Sequence, residues 1–164
     1  MQAPQLKTTR CTLDRPVSED APLIATLMTD AVVRRYLGGP ASASRVEVRT
    51  ADLISGTRRR SWVVRLTDRS GQGVGLVEID RHHDGLDDEL SYEFLPSVWG
   101  QGVASEAVAA VVGHAFSHLG YQRLIAETQA GNLPSRRLLE KLGMVRERDV
   151  LRFGEAQVIY AIAG

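Results

Sequence analysis

The chain has 164 residues, 43% of them hydrophobic, which suits one globular domain spanning 1–164 with an apolar core. Twenty basic and twenty acidic side chains cancel, so nothing in the balance favours nucleic acid or an anionic membrane. The single cysteine, Cys11, excludes an internal disulfide, the N-terminus lacks a signal-peptide pattern, and no stretch approaches the roughly twenty apolar residues of a membrane span; a soluble, cytoplasmic protein is expected.

Thr9 to Arg15 reads as a first strand, with Cys11 and Leu13 on the face opposite Thr12 and Asp14. Cys11 has no histidine near it in sequence and reads as packing. Pro16 ends the strand. Ser18 is expected to cap a helix whose first turn holds Glu19 and Asp20, where the helix dipole favours acid. Leu23, Ile24, Leu27 and Met28 form its apolar stripe. Thr29 to Leu37 reads as a second short helix, broken by Gly38-Gly39-Pro40, and Ser42 or Ser44 caps a third that runs to about Ser55.

Arg58-Arg59-Arg60 can hold a phosphate or form a solvated loop, and composition favours the loop. Ser61 to Thr67 and Val74 to Asp80 read as strands joined by the hairpin loop Asp68 to Gly73. Gly71, Gly73 and Gly75 lie between two strands with no helix after them, so they do not form a dinucleotide fingerprint. His82-His83-Asp84-Gly85-Leu86-Asp87-Asp88 offers metal-ligand types, but adjacent residues there point different ways. A connecting loop is the better reading, and no metal is expected.

The most informative stretch is 89–105. Glu89 to Leu95 alternates, with Leu90, Tyr92 and Phe94 on one face and Glu89, Ser91 and Glu93 on the other, which is a strand pattern. Pro96 stops it, Trp99-Gly100-Gln101-Gly102 turns, and from Val103 the apolar period becomes helical through Leu119. A strand entering a helix through glycines leaves the first helical amides unpaired at one spot, a natural phosphate site. An ordinary strand–helix connection uses the same spacing. Gln122 to Thr128 is a further strand, so strand 89–95, helix 103–119 and this strand form a βαβ unit with parallel strands. Asn132 caps a helix with Pro134 in its first turn, Leu138, Leu139 and Leu142 towards the core, and Gly143 as its stop. Two last strands, Val145 to Phe153 and Ala156 to Ile162, surround Gly154. The count is seven strands and about four helices in a mixed sheet.

Trp99-Gly-Gln-Gly-Val-Ala-Ser-Glu-Ala resembles the pyrophosphate loop of the GCN5-related N-acetyltransferase superfamily, Gln/Arg-x-x-Gly-x-Gly/Ala. Gly102 and Ala104 match, and Trp99 stands in place of Gln or Arg. Asn132-Leu-Pro-Ser135 through Gly143-Met144 resembles the superfamily's Asn-x-x-Ser-x-x-x-x-x-Lys-x-Gly-Phe block. The order strand, helix, Asp30-x-x-Val33-x-x-Tyr36-Leu37 resembles the ribosomal-protein (RimJ/RimL-like) branch, whose members acetylate N-terminal amines.

The resemblance implies an α/β (α+β) fold: a mostly antiparallel seven-stranded sheet with helices on both faces and a splayed parallel pair at its centre. It implies acetyl-CoA as cosubstrate, no metal, an amine acceptor and, by family habit, a homodimer. The pyrophosphate is expected on the amides of Gln101, Gly102, Val103, Ala104 and Ser105, and Val98 is expected to bind the cofactor as well. Pantetheine is expected along Glu93, Phe94 and Leu95, and a backbone N–H near Glu93 or Phe94 is expected to polarise the thioester. Glu89 falls where histone-type members carry a catalytic glutamate, and Glu93 is the second candidate base. The superfamily's tyrosine, seven residues after the Asn, is Leu139 here. Ser135 becomes the natural partner of the leaving thiolate, and Asn132 bonds pantetheine or orders water.

The implied activity is direct acetyl transfer to a primary amine, on a protein N-terminus or a small molecule. The alternative is a non-catalytic acyl-CoA-binding module on the same fold. An ATP site is disfavoured, because no Walker lysine or Mg²⁺-binding Ser/Thr follows the glycines.

Overall fold

The computed structural model describes residues 3–57, 60–69 and 71–164, so Arg58 and Arg59 of the arginine run lie outside the described residues. Among the described residues are eight strands and four α-helices: β1 (Leu6–Lys7), β2 (Cys11–Asp14), α1 (Ala21–Thr29), α2 (Ala43–Ser55), β3 (Arg60–Leu66), β4 (Gly73–Arg81), β5 (Asp88–Phe94), α3 (Val103–His118), β6 (Arg123–Gln129), α4 (Leu133–Lys141), β7 (Val145–Arg152) and β8 (Glu155–Ala163). They form one sheet in the order β1-β2-β3-β4-β5-β6-β8-β7. Every neighbouring pair is antiparallel except β5 with β6. The expected mixed α/β architecture is present. Its eighth strand is β1, which pairs only Leu6 with Leu13 and Lys7 with Thr12 and is too short to carry an alternation.

Alternation along the strands divides the apolar residues between two cores. Trp62, Val64, Val77, Ile79 and Leu90 face α3 and α4, meeting Ala107, Val108, Val111, Ala115 and Leu139. Val63 and Leu76 face the other way, onto Ile24, Leu27 and Met28 of α1 and Leu53 of α2. Helices therefore cover both faces, and Cys11 is a buried free thiol. No helix among the described residues is long and apolar enough to cross a membrane.

Two local expectations are corrected. Ser18 does not cap α1: a 3-10 turn, Ser18–Asp20, comes first, and the Asp20 carboxylate takes the Val17 N–H at 2.9 Å. The same carboxylate receives Arg65 Nη2 at 2.8 Å, so a charged acceptor held by an arginine closes the turn that precedes α1. The second short helix is instead a run of turns. Asp30 Oδ1 takes the N–H groups of Val32 and Val33 at 2.8 and 3.0 Å, and the Arg34 guanidinium folds back onto the carbonyls of Leu37 and Gly39. These local bonds compete with helical ones. Between the two expected caps of α2, Ser42 takes the Arg45 N–H.

The feature that positions the site lies at the sheet's centre. β4 and β5 stay in register from Gly75↔Phe94 to Arg81↔Asp88, whereas β5 and β6 pair only at Glu89↔Ile125. Beyond Glu89 the parallel strands diverge, and the sheet opens towards the C-terminal end of β5. Gly75 keeps that end closely packed, since a Cβ there would lie 2.3 Å from the Phe94 ring.

Candidate functional site

β5 ends at Phe94, a 3-10 turn (Pro96–Val98) follows, and Gly100 and Gly102 take left-handed conformations with φ of 71° and 77°. The first main-chain bond of α3 is Glu106 N–H to Gly102 O at 3.1 Å. The amides of Val103, Ala104 and Ser105 precede it and lie at the positive end of a sixteen-residue helix. The Val103 side chain is buried in the core, so that residue offers the loop only its main chain. Val98 is likewise buried, and its N–H is spent on Leu95 O at 3.1 Å. Gln101 turns its amide back to Ser97 O at 2.8 Å.

An arginine that the sequence reading did not single out joins the loop. Arg10, between β1 and β2, donates Nη1 to Gln101 O at 2.8 Å, and its Nη2 would lie 3.2 Å from a Cβ on Gly102. Its Nε and its main-chain N–H both bond Glu106, which Thr8 Oγ1 also reaches. Burial acts to raise the Glu106 carboxyl, but the bonds from Thr8 and Arg10 outweigh it and hold the group below its ordinary value. Only the fold brings Arg10 and Glu106 together, 96 residues apart in the chain. The amides, the positive helix end and the guanidinium fit a diphosphate.

On the open side of β5 the main chain can be phased. Leu95 N–H bonds Val74 O at 2.8 Å, on the β4 side. Alternation then turns the Glu93 N–H towards β4 and those of Tyr92 and Phe94 towards the gap beside β6. Phe94 O is met by the Trp99 indole N–H at 2.9 Å, which ties the loop to the strand end. Trp99 thus has a structural task where the superfamily motif carries Gln or Arg. The side chain of Phe94 is core, and that of Leu95 packs against the α1–α2 cluster.

Glu89 and Glu93 share one face of β5 but meet different neighbours. Glu93 lies among guanidiniums, 3.5 Å from Arg34 Nη1 and 3.4 Å from Arg49 Nη2, and Arg49 also pairs with Glu78 at 2.7 Å. Burial lowers the pKa of Arg34, with Glu93 acting the other way. Glu89 stands by the last β5–β6 pair, where burial raises its pKa above the ordinary value; the His82 charge opposes that rise and Glu127 reinforces it. His82 is itself buried, with Nε2 2.6 Å from Glu127 Oε2 and Nδ1 3.0 Å from Asp84 Oδ2. Burial works against its charge, but the two carboxylates prevail and raise the imidazole above its usual value. His82, His83 and Glu127 have ligand atoms within 4.8 Å of one another. Arg152 Nη1 enters the same cluster, bonding His83 Nδ1 and lying 3.0 Å from Glu127, and so brings a cation of its own.

On the opposite face of β5, Asn132 caps α4 by taking the Ser135 N–H at 3.3 Å. The Ser135 hydroxyl lies 2.8 Å from that of Tyr92. Burial pushes the Tyr92 hydroxyl up to about 12. Leu139, one turn after Ser135, is 1% exposed and belongs to the apolar core. The Tyr92–Ser135 contact spans 43 residues and carries no signal in the sequence.

A model of the acetyltransferase (GNAT) domain matches residues 10–145. The uncharacterised N-acetyltransferase YoaA of Bacillus subtilis (strain 168) is 30% identical over 151 residues, covering 88% of this chain and 84% of that protein. Among solved structures, a GNAT-family acetyltransferase from Bacillus anthracis superposes with a TM-score of 0.85 at 23% identity, over 98% of each chain. Spermidine N-acetyltransferase from Vibrio cholerae, in complex with CoA and spermine, gives 0.80 at 19% identity over 95% of this chain and 96% of that one. Ribosomal-protein-S5-alanine acetyltransferase from Vibrio fischeri gives 0.75 at 16% identity over 98% and 96%.

Proposed function

The chain belongs to the GNAT acetyltransferase family, and from that premise we propose that its residues form one domain that moves the acetyl group of acetyl-CoA directly to a primary amine. The observation that carries this reading is the opening between β5 and β6, which leads to the glycine-lined start of α3. In this reading the amides of Gln101, Gly102, Val103, Ala104 and Ser105 hold the diphosphate, with Arg10 beside them. The main chain of β5 at Phe94 and Leu95 lines the pantetheine arm, and Asn132 faces it from α4.

Acetyl-CoA supplies an activated acyl group on a good leaving thiol. The chain's part is to place the amine, accept its proton and steady charge on oxygen and sulfur. Glu89 is the proposed base: burial raises its pKa above the ordinary carboxylate value, which strengthens it as a proton acceptor. Glu93, held by two guanidiniums, is the weaker candidate and is better suited to fixing the acceptor wall. The Phe94 N–H is proposed to polarise the thioester carbonyl. Ser135, at the N-terminus of α4, is proposed to donate a hydrogen bond to the departing sulfur.

For the acceptor we propose an N-terminal amine of a protein, as in the RimJ/RimL-like branch, with a small-molecule amine second. Support comes from the Asp30-to-Leu37 segment, and the likeness to the S5-alanine enzyme is in fold. The cytoplasm suits the buried free Cys11.

Thiol release from acetyl-CoA, measured with peptides bearing free N-terminal alanine or serine, with spermine and with an aminoglycoside, tests the proposal. Release accelerated by one of these amines over plain hydrolysis is expected. Tight CoA binding with no release for any amine would favour the acyl-CoA-binding module, a reading that Leu139 in place of the superfamily tyrosine keeps in view.

A further inference from the structure

We propose that Tyr92 is the positioning residue for Ser135: its hydroxyl, 2.8 Å away, donates to Ser135 Oγ and leaves the serine proton free to point at the departing sulfur. The inference rests on the reading of Ser135 given above and extends it to a second residue.

Ser135 has one proton and sits in the first turn of α4, with its main-chain N–H taken by Asn132 Oδ1. A helical serine left alone commonly turns its hydroxyl onto a nearby main-chain carbonyl. A donor fixed on the other side of the oxygen satisfies one lone pair and favours an outward proton. Tyr92 is such a donor. Its ring is packed against the α3–α4 core and tilted against Phe94, with centroids 6.5 Å apart, so its hydroxyl reaches Ser135 from a rigid base. The hydroxyl could instead donate to Ser135 O, but at 3.4 Å that contact is the longer of the two, and the proposal gives the single phenolic proton to Oγ at 2.8 Å.

With its pKa pushed up to about 12 by burial, Tyr92 stays protonated at any working pH and so has a proton to donate to Ser135 Oγ. Moving its proton to a thiolate, whose own pKa is near about 8.5, would be uphill. The C–S electron pair goes to sulfur, and the protons of Tyr92 and Ser135 remain on oxygen. Leu139 offers no hydroxyl at the superfamily's tyrosine position, and the Tyr92–Ser135 pair brings polar hydrogens to the preceding turn of the same helix.

A double-mutant cycle tests this with acetyl-CoA and an alanine-terminated peptide, or spermine if that turns over faster. Ser135→Ala is expected to lower kcat about ten- to a hundredfold, as for a lost hydrogen bond to a charged group. Tyr92→Phe keeps the ring; it is expected to lower kcat about three- to tenfold with the KM for acetyl-CoA unchanged, and to have no further effect once Ser135 is alanine. A second readout needs no turnover: the thiol of bound CoA, followed by its ultraviolet thiolate absorbance, should titrate below free CoA in the parent protein and higher in either variant. Equal losses from Tyr92→Phe in both backgrounds, no loss in the parent, or an unmoved thiol titration in the Phe variant would overturn the Tyr92 role alone. A Ser135→Ala enzyme with full kcat would remove the Ser135 role and this inference together.

Discussion

The two faces of β5 have different tasks. Towards α3 and α4, Leu90, Tyr92 and Phe94 enter an apolar core in which the Tyr92 hydroxyl meets that of Ser135. Towards α1 and α2, Glu89 and Glu93 meet charge, and the company of each differs. Glu93 is fixed by Arg34 and Arg49, while Glu89 is lifted by burial beside a His82–Glu127 pair. Strand alternation puts two carboxylates on one face; the elements packed over that face hold Glu93 in an ion cluster and leave Glu89 as the proposed base.

That contrast breaks most easily at Glu89. Glu89→Gln is expected to reduce kcat about a thousandfold in the thiol-release assay while leaving the melting temperature nearly unchanged. The pH profile carries the sign. The base must be ionised and its pKa is raised, so kcat/KM should be level at higher pH and fall as pH drops through a point above the ordinary carboxylate range. His82 supplies a charge that lowers the Glu89 pKa, so His82→Gln should move that fall to higher pH. A shift to lower pH, or none, would separate the two groups.

Glu93→Gln should instead act on stability. Removing one member of a buried ion cluster typically costs about 3 kcal/mol, which is expected here as a lower denaturant midpoint, with Arg34 and Arg49 left short of a counter-charge. Should kcat rather than stability collapse, the assignments of the two glutamates would be reversed. Gly102→Val comes next. A β-branched residue at φ 77°, with a Cβ 3.2 Å from Arg10, is strained by about 1–3 kcal/mol and should weaken CoA binding about ten- to fiftyfold by calorimetry. The smallest effect belongs to Arg10→Ala. That guanidinium is half-exposed and shared with Glu106, so a two- to fivefold rise in the KM for acetyl-CoA, about what a partly screened charge contributes, should fade in high salt.

Much of this was legible in the sequence where period and punctuation agree. The alternation of 89–95, the glycines at 100 and 102 and the helical period from Val103 place the loop within a residue of where it lies. Asn132 and Gly143 mark α4 in the same way. The misses have physical causes. β1 is two residues long, and the 30–38 turns are set by an Asp30 carboxylate and a folded-back arginine that mimic helical spacing. Arg10 at the loop, Arg34 and Arg49 on Glu93, and Tyr92 on Ser135 are long-range meetings that only the packed sheet creates. The widening between β5 and β6 was expected from the resemblance, and it appears as a parallel pair that holds at a single position.

The most direct test of the account is an isotope-edited NMR titration of the protein with CoA. The amides of Gly102, Val103, Ala104 and Ser105 should shift first, together with those of Tyr92 and Phe94 on the open side of β5. Saturable shifts confined to the β7–β8 hairpin, or none at millimolar CoA, would contradict it.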